Sequence, residues 1–310
     1  MTRRYHISIL ALAAIFLVLT GCASVDKKKA SPIHIKGDEM KAAGVDAYGI
    51  GDYAGARSAF AEALRLDRSV DNREGELLDL INLARVAVVT GGYIEARAWL
   101  ADAVPLAQLL KDDKNLSEAY ATLAKADYLT GNHDAAWTHI EAALAIDQRL
   151  GVKSGGRLNL KAAILVASGK TAAAKSVLVD ALRLNAGALD APETANSYRA
   201  LAEADIREGS DAPALDYYQR AYETSREAGD NSRLAADLVS ISALQMKIGR
   251  TEDALFSLNR LYAVASASGT AREAAFALDG LISINEAAGN MDKGVFYRKL
   301  RDALSGMGAR

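Results

Sequence analysis

Seven glycines, Gly51, Gly91, Gly131, Gly169, Gly209, Gly249 and Gly289, stand 40, 40, 38, 40, 40 and 40 residues apart. Five residues after each comes a small residue: Ala56, Ala96, Ala136, Ala174, Ala214, Ala254 and Gly294. Four further on, six of the seven units place a larger apolar residue: Phe60, Leu100, Ile140, Leu178, Tyr218 and Leu258. Self-similarity at a fixed period of about 20–50 residues marks a repeat array, in which each unit buries its apolar face only by stacking on its neighbours.

The flanks of each glycine carry helical periodicity. After Gly51, the residues Ala56, Ala59, Phe60, Ala63 and Leu64 fall at i, i+3, i+4 spacing, and before Gly131 the residues Tyr120, Leu123, Ala124 and Tyr128 do the same. Each glycine therefore sits in a turn between two helices, where it takes positive φ without steric cost. Pro213, two residues after Asp211, suits a helix start.

Numbered so that each turn glycine is position 15, the units resemble the tetratricopeptide repeat (TPR), with a large residue at 4, Leu at 7, small residues at 8, 20 and 27, and a bulky one at 24. The third unit gives Tyr120, Leu123, Ala124, Ala136, Ile140 and Ala143; the fifth gives Tyr198, Leu201, Ala202, Ala214, Tyr218 and Ala221. The resemblance covers about residues 37 to 304 and implies an all-α, right-handed α-solenoid of about seven TPR-like helix pairs. The family period is 34 residues with proline at position 32, where this chain has Arg68, Gln108, Gln148, Ala186, Arg226 and Ser266. Six extra residues are nearly two helical turns, so long second helices are expected, similar to those of the kinesin light chain class. Break signals follow at Asp112-Asp113, Gly151, Gly187, Gly229-Asp230 and Gly269-Thr270. The seventh unit, with Gly294 and Arg298 at positions 20 and 24, reads as a cap.

The start of the chain is organised differently. Arg3 and Arg4 precede an apolar run from Ile7 to Leu19, and small residues follow, an order that reads as a secretory signal peptide over residues 1–21. Leu19-Thr20-Gly21-Cys22 resembles the bacterial lipobox, which implies cleavage before Cys22 and covalent lipid on it; no other cofactor is expected. Two acyl chains suffice for stable anchoring where one does not. Ala23 rather than aspartate after Cys22 points, by the same resemblance, to the outer membrane, facing the periplasm. Residues 22–36 then form a tether, 37–304 the solenoid and 305–310 a tail.

Cys22 is the only cysteine, which excludes a disulfide framework, and a net charge of −2 argues against nucleic acid as a partner. His133 follows a turn glycine where sister units have Tyr53 and Tyr93, so it reads as a packing residue. His139 lies six positions on, not at the i, i+4 spacing of a helical metal pair. No nucleophile elbow, phosphate loop or dinucleotide fingerprint is present in the sequence. A non-enzymatic role is therefore expected, with no metal.

The resemblance implies that positions 2, 5, 9, 12 and 13 of the first helices line a concave groove. Position 12 reads Tyr48, Val88, Tyr128, Val166, Ile206, Met246 and Glu286, an arrangement that equally suits packing between neighbouring helices. Lys41, Arg85, Lys125, Arg199, Arg207 and Lys247 flank it, against Glu118 and Glu203. The expected groove of Tyr48, Arg85, Val88, Lys125, Tyr128, Arg199, Ile206, Arg207, Met246 and Lys247 suits a protein segment with apolar anchors and negative charge. The family's carboxylate clamp is matched only by Lys41 and Asn82; Val45, Glu118 and Thr122 depart from it. The expected role is a scaffold for a protein of a cell-envelope assembly (secretion, pilus, barrel assembly or cell-wall synthesis), of unspecified oligomeric state. The alternative is a periplasmic module for a small ligand or glycan, with a pocket closed by the 38-residue fourth unit, where Gly155 and Gly156 open the first helix.

Overall fold

The computed structural model describes residues 31–229 and 233–307. The signal segment, Cys22 and the last three residues lie outside the described residues. Fourteen helices are present among those described: α1 Pro32–Gly49, α2 Tyr53–Ser69, α3 Arg73–Val89, α4 Tyr93–Leu110, α5 Asp113–Leu129, α6 His133–Leu150, α7 Gly155–Ala167, α8 Thr171–Gly187, α9 Ala191–Arg207, α10 Asp211–Glu227, α11 Leu234–Lys247, α12 Thr251–Ser268, α13 Ala271–Ala287 and α14 Met291–Met307. The chain divides into two compact units at Val86/Ala87. Both are all-α and built of TPR-like antiparallel pairs; the second is an α-solenoid.

Each turn is built as the spacing predicts. At the α5–α6 turn, Gly131 has φ 78°, its N–H donates to the Tyr128 carbonyl at 3.1 Å, and the Asn132 N–H donates to the Asp127 carbonyl at 2.8 Å. The second helices run on without position-32 proline, to 17 or 18 residues in α2, α4, α6, α8, α10 and α12. The chain enters α1 earlier than residue 37. Ser31 accepts from the His34 N–H at 3.3 Å and Pro32 fills the first turn, where its missing N–H costs nothing. His34, expected in the tether, is thus in the first turn of a helix.

The core is a repeating column. Position 20 (Ala96, Ala136, Ala174, Ala214, Ala254) and position 24 (Leu100, Ile140, Leu178, Leu258) are fully buried in the second unit, and Tyr218 nearly so. Alanine or serine at position 8 (Ala124, Ala162, Ala202, Ser242) lets the helices of a pair approach closely. In the first repeat that position is Gly44, and a Cβ there would collide with the ring of Phe60. Burying each large side chain of the column contributes about 1.5–3 kcal/mol.

A second, polar set of positions sits at the repeat boundaries: position 5, position 31 and position 3 of the next repeat. They are filled as matched sets, Arg199 with Ser225 and Asp237, Asn159 with Asn185 and Ser197, and the apolar Val239 with Ala265 and Ala277. Gly155 belongs to this layer, since a Cβ on it would collide with the Asn185 side chain. Gly155, which opens the fourth repeat, thus serves close helix packing.

Candidate interaction surface on the first helices

Three first helices of the second unit carry side chains at positions 9, 12 and 13 that reach the surface. From α5 come Lys125 and Tyr128, from α9 Glu203, Ile206 and Arg207, and from α11 Met246 and Lys247. Lys125, Arg207 and Lys247 are exposed, Tyr128 and Met246 are half-buried, and Ile206 is 37 % exposed. Tyr128 lies close enough to feel the charges of both Glu203 and Arg207, two repeats further along. Tyr128 and the Glu203–Arg207 pair thus share one wall of the second unit.

The titratable groups of the wall act on one another. Glu203 is reached by solvent, yet the surrounding protein thins its hydration; that desolvation raises its carboxyl above the usual range despite Arg233 and Arg207 nearby. Desolvation also raises the Tyr128 phenol, helped by Glu203 and opposed by Arg207. Lys247 is tied by Asp211 at 2.7 Å. The wall thus offers cationic donors, one acceptor and an apolar strip of Tyr128, Ile206 and Met246, a chemistry of recognition.

Several expected groove residues are placed elsewhere. Arg199 is 5 % exposed; it forks onto Asp237, with Nε and Nη2 each at 2.7 Å, and Nη2 also donates to Ser225 Oγ at 2.8 Å. Burial of a guanidinium demands this bidentate partner, and the side chain is spent on holding repeats together. Val88 and Val166 are each 4 % exposed, so position 12 is packing there, the other role its apolar ladder allowed. In the first unit, Lys41 holds Asp67 at 2.6 Å instead of facing a groove. Arg85 lies over the Tyr48 ring at 5.6 Å. The closing acid Glu286 pairs with Arg298 of the cap.

The histidines are packing residues. His133 lies 5.9 Å from the Tyr128 ring. His139 Nδ1 is 2.7 Å from Asp127 Oδ2 and its ring stacks on Tyr120 at 6.0 Å, while burial and the neighbouring Arg97 lower its pKa. Among the described residues, no group of three or more His, Cys, Asp or Glu could hold a metal ion, and no helix is long and apolar enough to cross a membrane. Sequence reading missed the boundary ladder; its signal was the co-occurrence of acids and bases 26 or 38 residues apart, as in Lys41–Asp67 and Arg199–Asp237.

No protein-family model matches the chain, and none of the curated proteins matches it. Solved structures do. A Rap protein complexed with competence and sporulation factor superposes with a TM-score of 0.64 at 12 % identity, covering 96 % of this chain and 80 % of that one. The STAND signal-transduction ATPase of Pyrococcus horikoshii, which has a tetratricopeptide repeat sensor, gives 0.65 at 16 % identity over 80 % of this chain and 40 % of that one. Pseudomonas aeruginosa pilF gives 0.54 at 18 % identity, with 73 % and 90 % covered. At these identities the likeness is one of fold, and the fold is TPR-like.

Proposed function

We propose that the chain is a non-enzymatic scaffold, anchored by lipid on Cys22 to the periplasmic side of the outer membrane, whose second unit captures a protein of an envelope assembly on its first-helix face. The observation that carries the binding half is the wall of Tyr128, Glu203 and Arg207, joined by Ile206 and Met246. Glu203, Ile206 and Arg207 are exposed and Tyr128 and Met246 half-buried, which leaves each with surface to offer a partner. Excess positive charge beside an apolar strip suits a segment with apolar anchors and acidic flanks. The anchoring half rests on the Leu-Thr-Gly-Cys sequence ending at Cys22.

A photo-crosslinking residue placed at Ile206 tests the first half, with the exposed Val179 of the second helix α8 as the control. The expected result is a discrete protein adduct from position 206 and none from 179. Equal labelling at the two, or none at 206, contradicts the reading. For the second half, Cys22→Ser is expected to leave the chain unlipidated and in the soluble fraction.

A further inference from the structure

Position 11 of the first helices carries a buried polar side chain in four repeats of the second unit: Asp127, Asp205, Gln245 and Asn285. Three are answered. Asp127 is met by Arg97, at position 21 of the preceding repeat, and by His139 at position 23 of its own. Asp205 is met by Lys175, again position 21, at 2.5 Å. Asn285 Nδ2 donates to the Leu281 carbonyl at 2.8 Å. Gln245 differs: it is 3 % exposed and its Oε1 has no hydrogen-bond partner.

The sequence explains the vacancy. Position 21 before Gln245 is Leu215, which cannot donate, and position 23 is Ser257, far smaller than His139. Beside Ser257 lies a cleft of about 260 Å³ between α10 and α12, floored by Leu238, Ile241 and Gln245 of α11. Ordinary ligand sites run to about 300–1,000 Å³, so the guest is a group of roughly single amino-acid size.

The rim supplies the rest of the recognition. Arg226, Arg250 and Arg260 face Glu223 and Asp253 across it, one positive charge in excess. Arg250 is engaged by Asp253 at 2.6 Å. Arg260 lies over the Tyr222 and Phe256 rings at 5.0 and 5.5 Å and donates to the Tyr222 hydroxyl at 2.5 Å, which fixes its plane. Arg226 is exposed and has no ion-pair partner among the described residues. Phe256, 64 % exposed, leaves an apolar wall open to solvent.

We propose that this cleft binds a carboxylate carrying an adjacent N–H and a small apolar side chain, the chemistry shared by a free amino acid and a peptide C-terminus. The carboxylate sits on Arg226 and Arg260, the N–H donates to Gln245 Oε1, and the side chain packs on Leu238, Ile241 and Phe256. An acceptor buried without a donor costs free energy until a guest supplies one. The cleft shares no residue with the first-helix wall, so either site can fail without the other.

Saturation-transfer NMR and calorimetry on the full chain, with L-leucine, N-acetyl-L-leucine and L-leucinamide, test this. At least one carboxylate probe is expected to bind, and leucinamide at least about tenfold more weakly. Binding by N-acetyl-L-leucine alone assigns a peptide C-terminus; binding by L-leucine, with or without the acetylated form, assigns a free amino acid. Gln245→Leu and Arg226→Ala are each expected to weaken binding about tenfold or more. Should Gln245→Leu fail to fold, Arg226→Ala, at an exposed position, carries the test. No binding by either carboxylate, equal binding of leucinamide, or full binding by the variants overturns the proposal.

Discussion

The boundary layer of the first unit and that of the second use the same three positions and solve the same problem differently. In the second unit, Arg199, Ser225 and Asp237 form a closed set, one cation on one anion with each guanidinium contact made. In the first unit the positions hold Lys41, Asp67 and Asp79, two acids for one base. Asp67 takes Lys41 at 2.6 Å and Asn72 Nδ2 at 2.9 Å. Asp79 is fully buried and neither of its oxygens has a hydrogen-bond partner. Burial pushes its carboxyl up to about 8, assisted by Asp67 and opposed by Lys41. Lys41 is itself disfavoured by burial, yet the bond to Asp67 outweighs this and holds its pKa above the usual value. The repeat therefore accepts any boundary set that neutralises itself, and where the charges are unequal a proton makes up the difference.

The largest effect expected from this contrast comes from breaking the closed set. Asp237→Ala strands a buried guanidinium and should lower stability by about 3–5 kcal/mol in urea denaturation. Asp79→Leu, at the same position four repeats earlier, should be neutral or stabilising near pH 8, because it removes a charge the first unit cannot accommodate. Equal losses from the two variants would erase the distinction between the units.

Next come the glycines that make room for position 31. A Cβ at Gly75 would collide with Asp67, and one at Gly155 with Asn185. Gly75→Ala and Gly155→Ala should each cost about 1–3 kcal/mol, read as a lower thermal midpoint. The two losses should be of similar size if the layer is built alike in both units.

The pH dependence sharpens the contrast further. Asp79 has a folded pKa near 8, above an unfolded value of about 4, so the folded state binds the extra proton between them. Its contribution is fully present below pH 4 and is lost as pH rises toward 8, at up to about 1.4 kcal/mol per pH unit. Urea midpoints of wild type should fall relative to those of Asp79→Asn between pH 5 and pH 8. Parallel profiles would show that Asp79 does not hold the proton. The smallest effect concerns a helix end: Leu189, 90 % exposed, has φ 55°, and Leu189→Gly should raise stability by about 1 kcal/mol.

The fold was legible because its signals are periodic. Seven turn glycines and the alanines behind them state the pairing, and the missing position-32 prolines state the long second helices. The interaction surface was legible only in part. A helical wheel places Arg199 and Arg207 on neighbouring faces, but only the structure shows Asp237 rising from the next repeat to bury the first and leave the second free. Position 12 divides between its two readings for a related reason: Val88 and Val166 are buried by neighbouring helices while Ile206 stays exposed. The cleft at Gln245 was invisible to a search for motifs because it arises from two substitutions, Leu215 for a cation and Ser257 for a bulky ring, whose common effect appears in space.

The central claim is that the first-helix wall of the second unit holds the partner. Capture of the crosslinked partner by Tyr128→Ala with Arg207→Glu, beside the far-ultraviolet circular dichroism of the same preparation, tests it most directly. The account predicts an unchanged helical signal and loss of capture, since one change removes the apolar anchor and the other inverts the charge beside it. Capture equal to that of the wild-type chain would contradict it.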